Sequence, residues 1–442
     1  SVSKMILSTM KEANLILLVV INIFMQAVSQ WLIITEIGIG IGTDDMILAM
    51  LIPQFVLSAL AISISKYLAP EIISNYENSK NINKHMGMCI RSMFLIVGVA
   101  SIFVVFPMYY WSSFFFGQRT PEYDTMLILF SLSTIFSAAN LVTTSYHLAA
   151  HRFIYIEKIT LLVNILGLGL IYTLVGEYGI VIAAIAYLFK SLLFYGLSIL
   201  KLQRAVGSYK YREVFIFSIN ILKKIKHLIF GSLYFKSDAI VDRTLQSRLA
   251  SGTITSYNVA LQLYAIAEVL IEKVVKNQYL VLLSKNINGC KLKYSKKIYY
   301  RALIKLLLSS IVIMLSLFII GKDVLNIIFL YKNIDPKSID DIYLYLQLLS
   351  GVFIGGVFGQ ITSVTFYKAG KMKEIVMLEL IIFTVYLPIK IFSFFEWGIY
   401  GLCVATSIYY IVSFIAQHYY IVTNNFWVAK ERDTKKIFLV SE

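Results

Sequence analysis

Apolar runs long enough to cross a lipid bilayer recur from one end of the chain to the other. Ala13–Ile37, Met46–Ala69 and Gly401–Val422 are three of them. Each reaches the roughly 20 residues that a helix needs to span ~30 Å of hydrocarbon. A chain of 442 residues that is 58% hydrophobic and 15% charged, with a mean hydropathy of +0.75, has too little polar surface to close soluble domains. The first run alone would pass for a signal peptide, but equivalent runs follow it throughout. The composition therefore specifies an all-α, polytopic membrane protein.

Twelve spans are expected, at about 13–37, 46–68, 88–110, 124–148, 154–175, 179–200, 227–247, 254–283, 302–330, 340–367, 374–395 and 399–423. With the N-terminus in the cytoplasm, and with Lys66, Arg91, Lys158, Lys305 and Lys322 toward the span ends counted with the adjoining segments, 29 of the 40 Lys and Arg fall in cytoplasmic segments, five (Arg119, Arg248, Lys322, Lys332, Lys337) in external connections and six within spans. Lys and Arg accumulate on the cytoplasmic side of membrane proteins, so both termini are expected there. A missed span would invert the alternation downstream, which makes this bias a test of the count. The +15 net charge is thereby a matter of topology, not of nucleic-acid binding. In the densest basic segments, Lys201–Lys226 and Lys285–Lys305, the functional alternative is contact with anionic headgroups or a pyrophosphate. Cys89, Cys290 and Cys403 lie far apart without a CxxC pair, which argues against a disulfide framework or a thiolate metal site. The chain begins at Ser1 without Met, and a few further N-terminal residues are expected.

The chain repeats itself with an offset of half its length. Ala149-Ala150-His151-Arg152 and Ala369-Gly370-Lys371 each end a span in a small, basic turn. An apolar helix follows in both, then an acidic-aromatic break with Gly179-Ile180 or Gly398-Ile399. A weaker echo links residues 42–54 to 252–264. Six spans per half give both halves the same orientation, hence two parallel repeats about an axis along the membrane normal with a central cavity between them. The expected organisation is a six-helix lobe over 1–205, a basic cytoplasmic linker over 206–226, a second six-helix lobe over 227–425 and a cytoplasmic tail over 426–442.

Ionisable residues inside spans mark candidate sites, because a charge at the bilayer centre costs about 2.5–3.5 kcal/mol even on insertion scales. Span seven carries Lys236, Asp238, Asp242 and Arg243; span eight carries Glu268, Glu272, Lys273 and Lys276. Asp238 and Asp242 share a helix face, as do Glu268, Glu272 and Lys276. Structural ion pairing, for instance of Lys236 with Glu268, is one explanation; a hydrated cavity for a charged headgroup or a coupling ion is the other. Lys190, Glu379, Lys390 and His418 complete the set. His147 and His151 are expected on one face of span four without a third metal ligand, and Pro53, Pro107 and Pro388 are expected to kink their helices. No P-loop, zinc motif or triad pattern is present, so neither catalysis nor ATP-driven transport is expected.

Several stretches resemble the multidrug/oligosaccharidyl-lipid/polysaccharide (MOP) exporter superfamily, most closely its lipid II flippase (MurJ/MviN) branch. They are Thr43-Asp44 with Ala49 and Pro53, Ala69-Pro70, Ile240–Leu270 with its Tyr-Asn-x-Ala, and Ala149 to Asn164. The resemblance implies a flippase for undecaprenyl-pyrophosphate-linked saccharides, lipid II-like or an O-antigen repeat unit, in the bacterial plasma membrane. Lipid II members usually have fourteen spans and arginines in the first two. Span one here offers only Asn22, Gln26, Ser29 and Gln30, which shifts weight toward twelve-span, Wzx-type flippases. On this reading Lys190, Lys236, Arg243, Lys273, Gln26 and Gln30 meet the substrate. Asp238, Asp242, Glu268 and Glu272 are candidates to bind a coupling Na⁺ or H⁺. No other cofactor is expected, and the protein is expected to act as a monomer among membrane lipids. A cation-coupled multidrug antiporter on the same architecture is the alternative.

Overall fold

The computed structural model describes residues 2–65, 67, 68, 72, 82–117, 119–202, 211–271, 279, 292–329, 334–369, 371–424 and 426. Among these every regular element is helical. They are α1 (Val2–Ile37), α2 (Ile41–Val56) with a π-helical continuation (Leu57–Ala61), α3 (Ile82–Phe116), α4 (Glu122–Ala149), α5 (Phe153–Tyr178), α6 (Val181–Leu200), α7 (Tyr211–Gln246), α8 (Thr253–Ile271), α9 (Leu292–Phe329), α10 (Pro336–Leu348), α11 (Ser350–Lys368) and α12 (Met372–Thr423). Eight helices among the described residues are long and apolar enough to cross a membrane, or nine when α10 and α11, bent by 43°, count as one. The chain is a multi-pass membrane protein. α7 and α8 fall outside that set, and in α7 Lys236, Asp238, Asp242 and Arg243 dilute the apolar run.

α12 contains two expected spans. Its 52 residues would reach about 78 Å as a straight rod. Gly398, however, takes φ 60 and ψ −140, a conformation open to glycine but strained for residues with a Cβ. The chain folds back there: Gln417 Nε2 donates to Glu379 Oε1 at 3.0 Å, and the Tyr386 and Tyr409 rings stack at 4.3 Å. α12 is therefore a hairpin of two limbs.

Contacts divide the chain into two compact units, Ser1–Thr255 with Tyr331–Ile334, and Ser256–Leu330 with Asp335–Glu442. In the first unit α1 packs along α5, α4 along α6 and α2, and α3 along α4 and α7. One core cluster gathers Ile33, Leu48, Phe116, Tyr123, Leu127 and Ala183 at the end bearing the α1–α2 and α3–α4 turns. A second gathers Ile64, Cys89, Met93, Val142, Tyr146 and Ile221 at the opposite end. Pro53, which lacks an N–H, lies inside α2, and the π-helical residues Leu57–Ala61 begin one turn after it. The histidines expected on one helix face part company. His147 is buried on α4 with Nε2 3.1 Å from the Ser198 carbonyl, whereas His151 lies beyond the helix end at φ 54.

In the second unit α11 packs on the second limb of α12 through a Gly-x-x-x-Gly stripe. A Cβ on Gly351 would lie 2.7 Å from Ser407 Cβ, and one on Gly355 would overlap the Tyr410 backbone. Bare glycines let two membrane helices approach closely enough for dispersion to hold them where no hydrophobic effect operates. Tyr264 stacks on Phe353 at 5.4 Å and donates to the Leu346 carbonyl. Tyr299 of α9 meets His418 Nδ1 at 2.7 Å.

The turns identified as repeated in the sequence share their backbone geometry. Arg152 and Lys371 precede α5 and α12 at φ −98, ψ 43 and φ −104, ψ 46. Their N–H groups donate five residues back, to the His147 carbonyl at 2.9 Å and the Phe366 carbonyl at 3.0 Å. Gly179 and Gly398 both adopt positive φ, 76° and 60°. Each pair is 219 residues apart in the sequence.

Candidate functional site

Among the described residues of the first unit, three groups of polar side chains bear on a candidate site. The first is a seam along α1, α5 and α6. Glu157, Asn164 and Gly167 recur at the i, i+7, i+10 spacing of one face of α5. Asn22 of α1 donates from Nδ2 to Glu157 Oε2 at 2.7 Å and to its carbonyl at 3.1 Å. Further along this face, Asn164 Nδ2, like Asn22 Oδ1, is buried without a hydrogen-bond partner among the described residues. Such groups are rare in native proteins and call for water or a ligand. Beyond them Lys190 of α6 lays its methylenes into the notch left by Gly167, where a Cβ would come within 2.5 Å of Lys190 Cδ. Its ammonium sits 4.6 Å from the Tyr187 ring centroid, and the Tyr187 hydroxyl accepts from Gln30 Nε2 at 3.4 Å. Of the expected substrate residues, Lys190 and Gln30 thus come together, while Gln26, one turn away, is exposed.

The second is the start of α2. Gly252, the residue before α8, has no side chain with which to cap that helix. Asp44, 208 residues away, does so instead: Oδ2 accepts from Gly252 N at 2.6 Å, and Oδ1 accepts from Thr255 N at 2.8 Å and Thr255 Oγ1 at 2.6 Å. Adjacent Asp45 accepts from Arg119 Nη1 at 2.6 Å and Thr120 N at 2.7 Å. Two consecutive carboxylates, both buried, thereby tie the α3–α4 turn and the first turn of α8 to α2. A carboxylate at a helix N-terminus gains from both the free N–H groups and the helix dipole.

The third is the C-terminal half of α7. Lys236 is exposed and Asp238 half-buried, whereas Asp242 and Arg243 are each 8% exposed, and Arg243 Nη1 donates to Gln246 Oε1 at 2.7 Å.

In the second unit Glu268 of α8 is half-buried and fills the space above Gly356, where a Cβ would lie 2.5 Å from its Oε1. Glu272 and Lys273, also expected in the site, lie outside the described residues, as does Lys276. A further set joins Glu379, Gln417 and Thr362: Gln417 donates to Glu379 and accepts from Thr362 Oγ1. Lys390 is fully buried, 5.2 Å from the Tyr386 ring centroid. Glu379 and Lys390 were visible as charges within spans, but Gln417, which joins Glu379 to Thr362, comes from the far limb of the α12 hairpin, which no local pattern announces. The described residues hold no cluster of three or more His, Cys, Asp or Glu suited to a metal ion.

No protein-family pattern matches the chain, and no curated protein matches it in sequence. Solved structures do. A lipid II flippase MurJ in an inward closed conformation superposes with a TM-score of 0.77 at 16% identity, over 93% of this chain and 88% of that one. An inward-facing multidrug resistance MATE family transporter of the MOP superfamily gives 0.70 at 13% identity, over 91% and 94%. The Vibrio cholerae MATE transporter VcmN, in its bent form, gives 0.59 at 14% identity, over 94% and 98%. The chain has the fold of MOP-superfamily transporters.

Proposed function

We propose that the chain is a flippase that carries polyprenyl-pyrophosphate-linked saccharides across the bacterial plasma membrane by alternating access. The head of such a lipid cannot cross hydrocarbon and its tail need not leave it, so the protein has only to offer the head a polar path. The observation that carries this reading is Lys190 of α6, a cation seated in the Gly167 notch of α5, the helix face that also carries Asn164 Nδ2, without a partner among the described residues. A fixed cation with neighbouring donors suits an anionic pyrophosphate and ill suits the cationic amphipaths of a drug exporter. Lys236, Arg243, Lys273, Gln26 and Gln30 complete the proposed substrate path. Asp238, Asp242, Glu268 and Glu272 are proposed to bind a coupling Na⁺ or H⁺, and the protein to act as a monomer. One charge moving down the membrane potential supplies about 2.3 kcal/mol per 100 mV.

The finer architecture belongs to the same proposal: twelve spans in two like-oriented repeats of six, with both termini cytoplasmic. The α12 hairpin counts as two spans, the bent α10–α11 pair as one, and α7 and α8 as one each. The matched geometry of the Arg152 and Lys371 turns and of Gly179 and Gly398 supports the repeat. The Lys and Arg bias supports the orientation. Cation-coupled antiport of small molecules is the second reading, favoured by the carboxylate–amide–hydroxyl set of Glu379, Gln417 and Thr362.

The test is reconstitution into proteoliposomes with a fluorescent polyprenyl-pyrophosphate saccharide and a membrane-impermeant quencher. Wild-type protein is expected to move the label between leaflets, and Lys190→Gln to slow it at least about tenfold while inserting normally. Cation-driven dye efflux with no lipid movement would establish antiport instead.

A further inference from the structure

The first half of α7 has two unlike faces. Val214, Ser218, Ile221 and Ile225 are buried, the i, i+4, i+7, i+11 spacing of one helical stripe. Tyr211, Arg212, Phe215, Ile216, Lys223 and Lys224 are exposed, with Tyr211 at 94% and Phe215 at 56%. Basic side chains interleaved with bare aromatic and aliphatic ones are the composition of a surface lying at the headgroup boundary.

Where this face meets α3, a cavity of about 930 Å³ is lined by Arg91, Phe94, Leu95, Tyr211, Arg212, Val214 and Phe215. Its floor is fixed, because Phe94 packs edge-on against Phe136 at 5.6 Å and Tyr195 at 5.4 Å. Glu213, next to Arg212 in the chain, is 3.8 Å from Lys84 Nζ, which offsets its charge. The depth also fits. α3 has 35 residues, about 52 Å of helix, and so exceeds a ~30 Å hydrocarbon layer by roughly 11 Å at each end when centred. Arg91, nine residues into α3, falls at that boundary, where a long basic side chain extends to the phosphates while its stem stays in apolar surroundings.

We propose that this cavity binds an anionic phospholipid, with its phosphate between Arg91 and Arg212 and an acyl chain along Phe94, Leu95 and Phe215. The apolar wall distinguishes the ligand from a free phosphate, and the two guanidinium groups distinguish it from a zwitterionic lipid. The site holds a resident lipid and does not depend on what the protein transports.

The full chain, purified in detergent, is titrated with phosphatidylglycerol and with phosphatidylcholine of the same acyl chains, and the retained lipid is read by native mass spectrometry. The wild type is expected to prefer phosphatidylglycerol by about tenfold or more. Arg91→Gln with Arg212→Gln should bring the preference close to one. Arg212→Gln alone, at an exposed side chain, should reduce it several-fold without risk to folding. Lys322→Gln, at a surface ion pair with Asp340, should leave it unchanged. Equal retention of the two lipids by the wild type, or an undiminished preference in the double variant, overturns the proposal. Displacement of the lipid by millimolar inorganic phosphate, as effective as displacement by excess phosphatidylglycerol, overturns its assignment as a lipid site.

Discussion

Removing the Asp44 carboxylate should release the first turn of α8. The perturbation is Asp44→Ala, which deletes the acceptor of the three hydrogen bonds from Gly252 N, Thr255 N and Thr255 Oγ1. Hydrogen bonds to a charged group are worth about 1.5–3 kcal/mol each and do not add in full, and loss of a helix cap costs ~0.5–2 kcal/mol. Asp44 is only 5% exposed, so water does not readily replace it. A total near 3 kcal/mol is expected, of which about 2 kcal/mol should appear as local opening. At about 1.4 kcal/mol per decade, that local term predicts about thirtyfold faster hydrogen exchange at the Gly252 and Thr255 amides. Asp44→Asn keeps an acceptor for Thr255 but turns an NH₂ toward Gly252 N, so its cost should be intermediate. Thr255→Val should be destabilising in the wild-type background and close to neutral beside Asp44→Ala, the signature of a direct pair in a double-mutant cycle. Exchange is measured on purified protein in detergent by mass spectrometry, alongside thermal melting. Unchanged protection of the α8 first turn in Asp44→Ala would refute the capping argument.

Three further outcomes follow from the packing. Gly355→Ala drives a methyl into the Tyr410 backbone, and overpacking of this kind should cost about 1–3 kcal/mol, read as a lowered melting temperature; an unaltered melt would show that α11 and α12 separate without penalty. Gly167→Ala should push Lys190 out of its notch and slow lipid flipping as Lys190→Gln does, with normal expression, whereas a wild-type rate would remove Lys190 from the proposed path. Gln417→Ala strips Glu379 and Thr362 of a shared partner and should lower stability by about 1–3 kcal/mol; Gln417→Glu, placing two carboxylates together, should be worse, and equal melting of both variants with wild type would show that the set is not structural.

Some of this was legible without coordinates. The length and recurrence of apolar runs specify membrane helices because bilayer thickness and helix rise are fixed. The Gly179 and Gly398 breaks were visible because positive φ favours glycine. Charges within spans pointed to Lys190, Asp242, Arg243, Glu268 and Glu379, since such groups are too costly to be incidental. The Gly351-x-x-x-Gly355 stripe was equally present in the sequence, but a small-residue spacing does not say which helix approaches it.

Burial and partnership had to come from the fold. The sequence presents Lys236 and Arg243 as equivalent cations on one helix, yet one is exposed and the other 8% exposed and bonded to Gln246. Asp44 stands out as a motif residue, but its partner Thr255 lies across 211 positions of chain. Hydropathy is a property of each residue and its near neighbours, so it sets which segments enter the membrane. A hydrogen bond or a cavity wall depends on the direction in which two distant helices present their side chains, and only packing in three dimensions decides that.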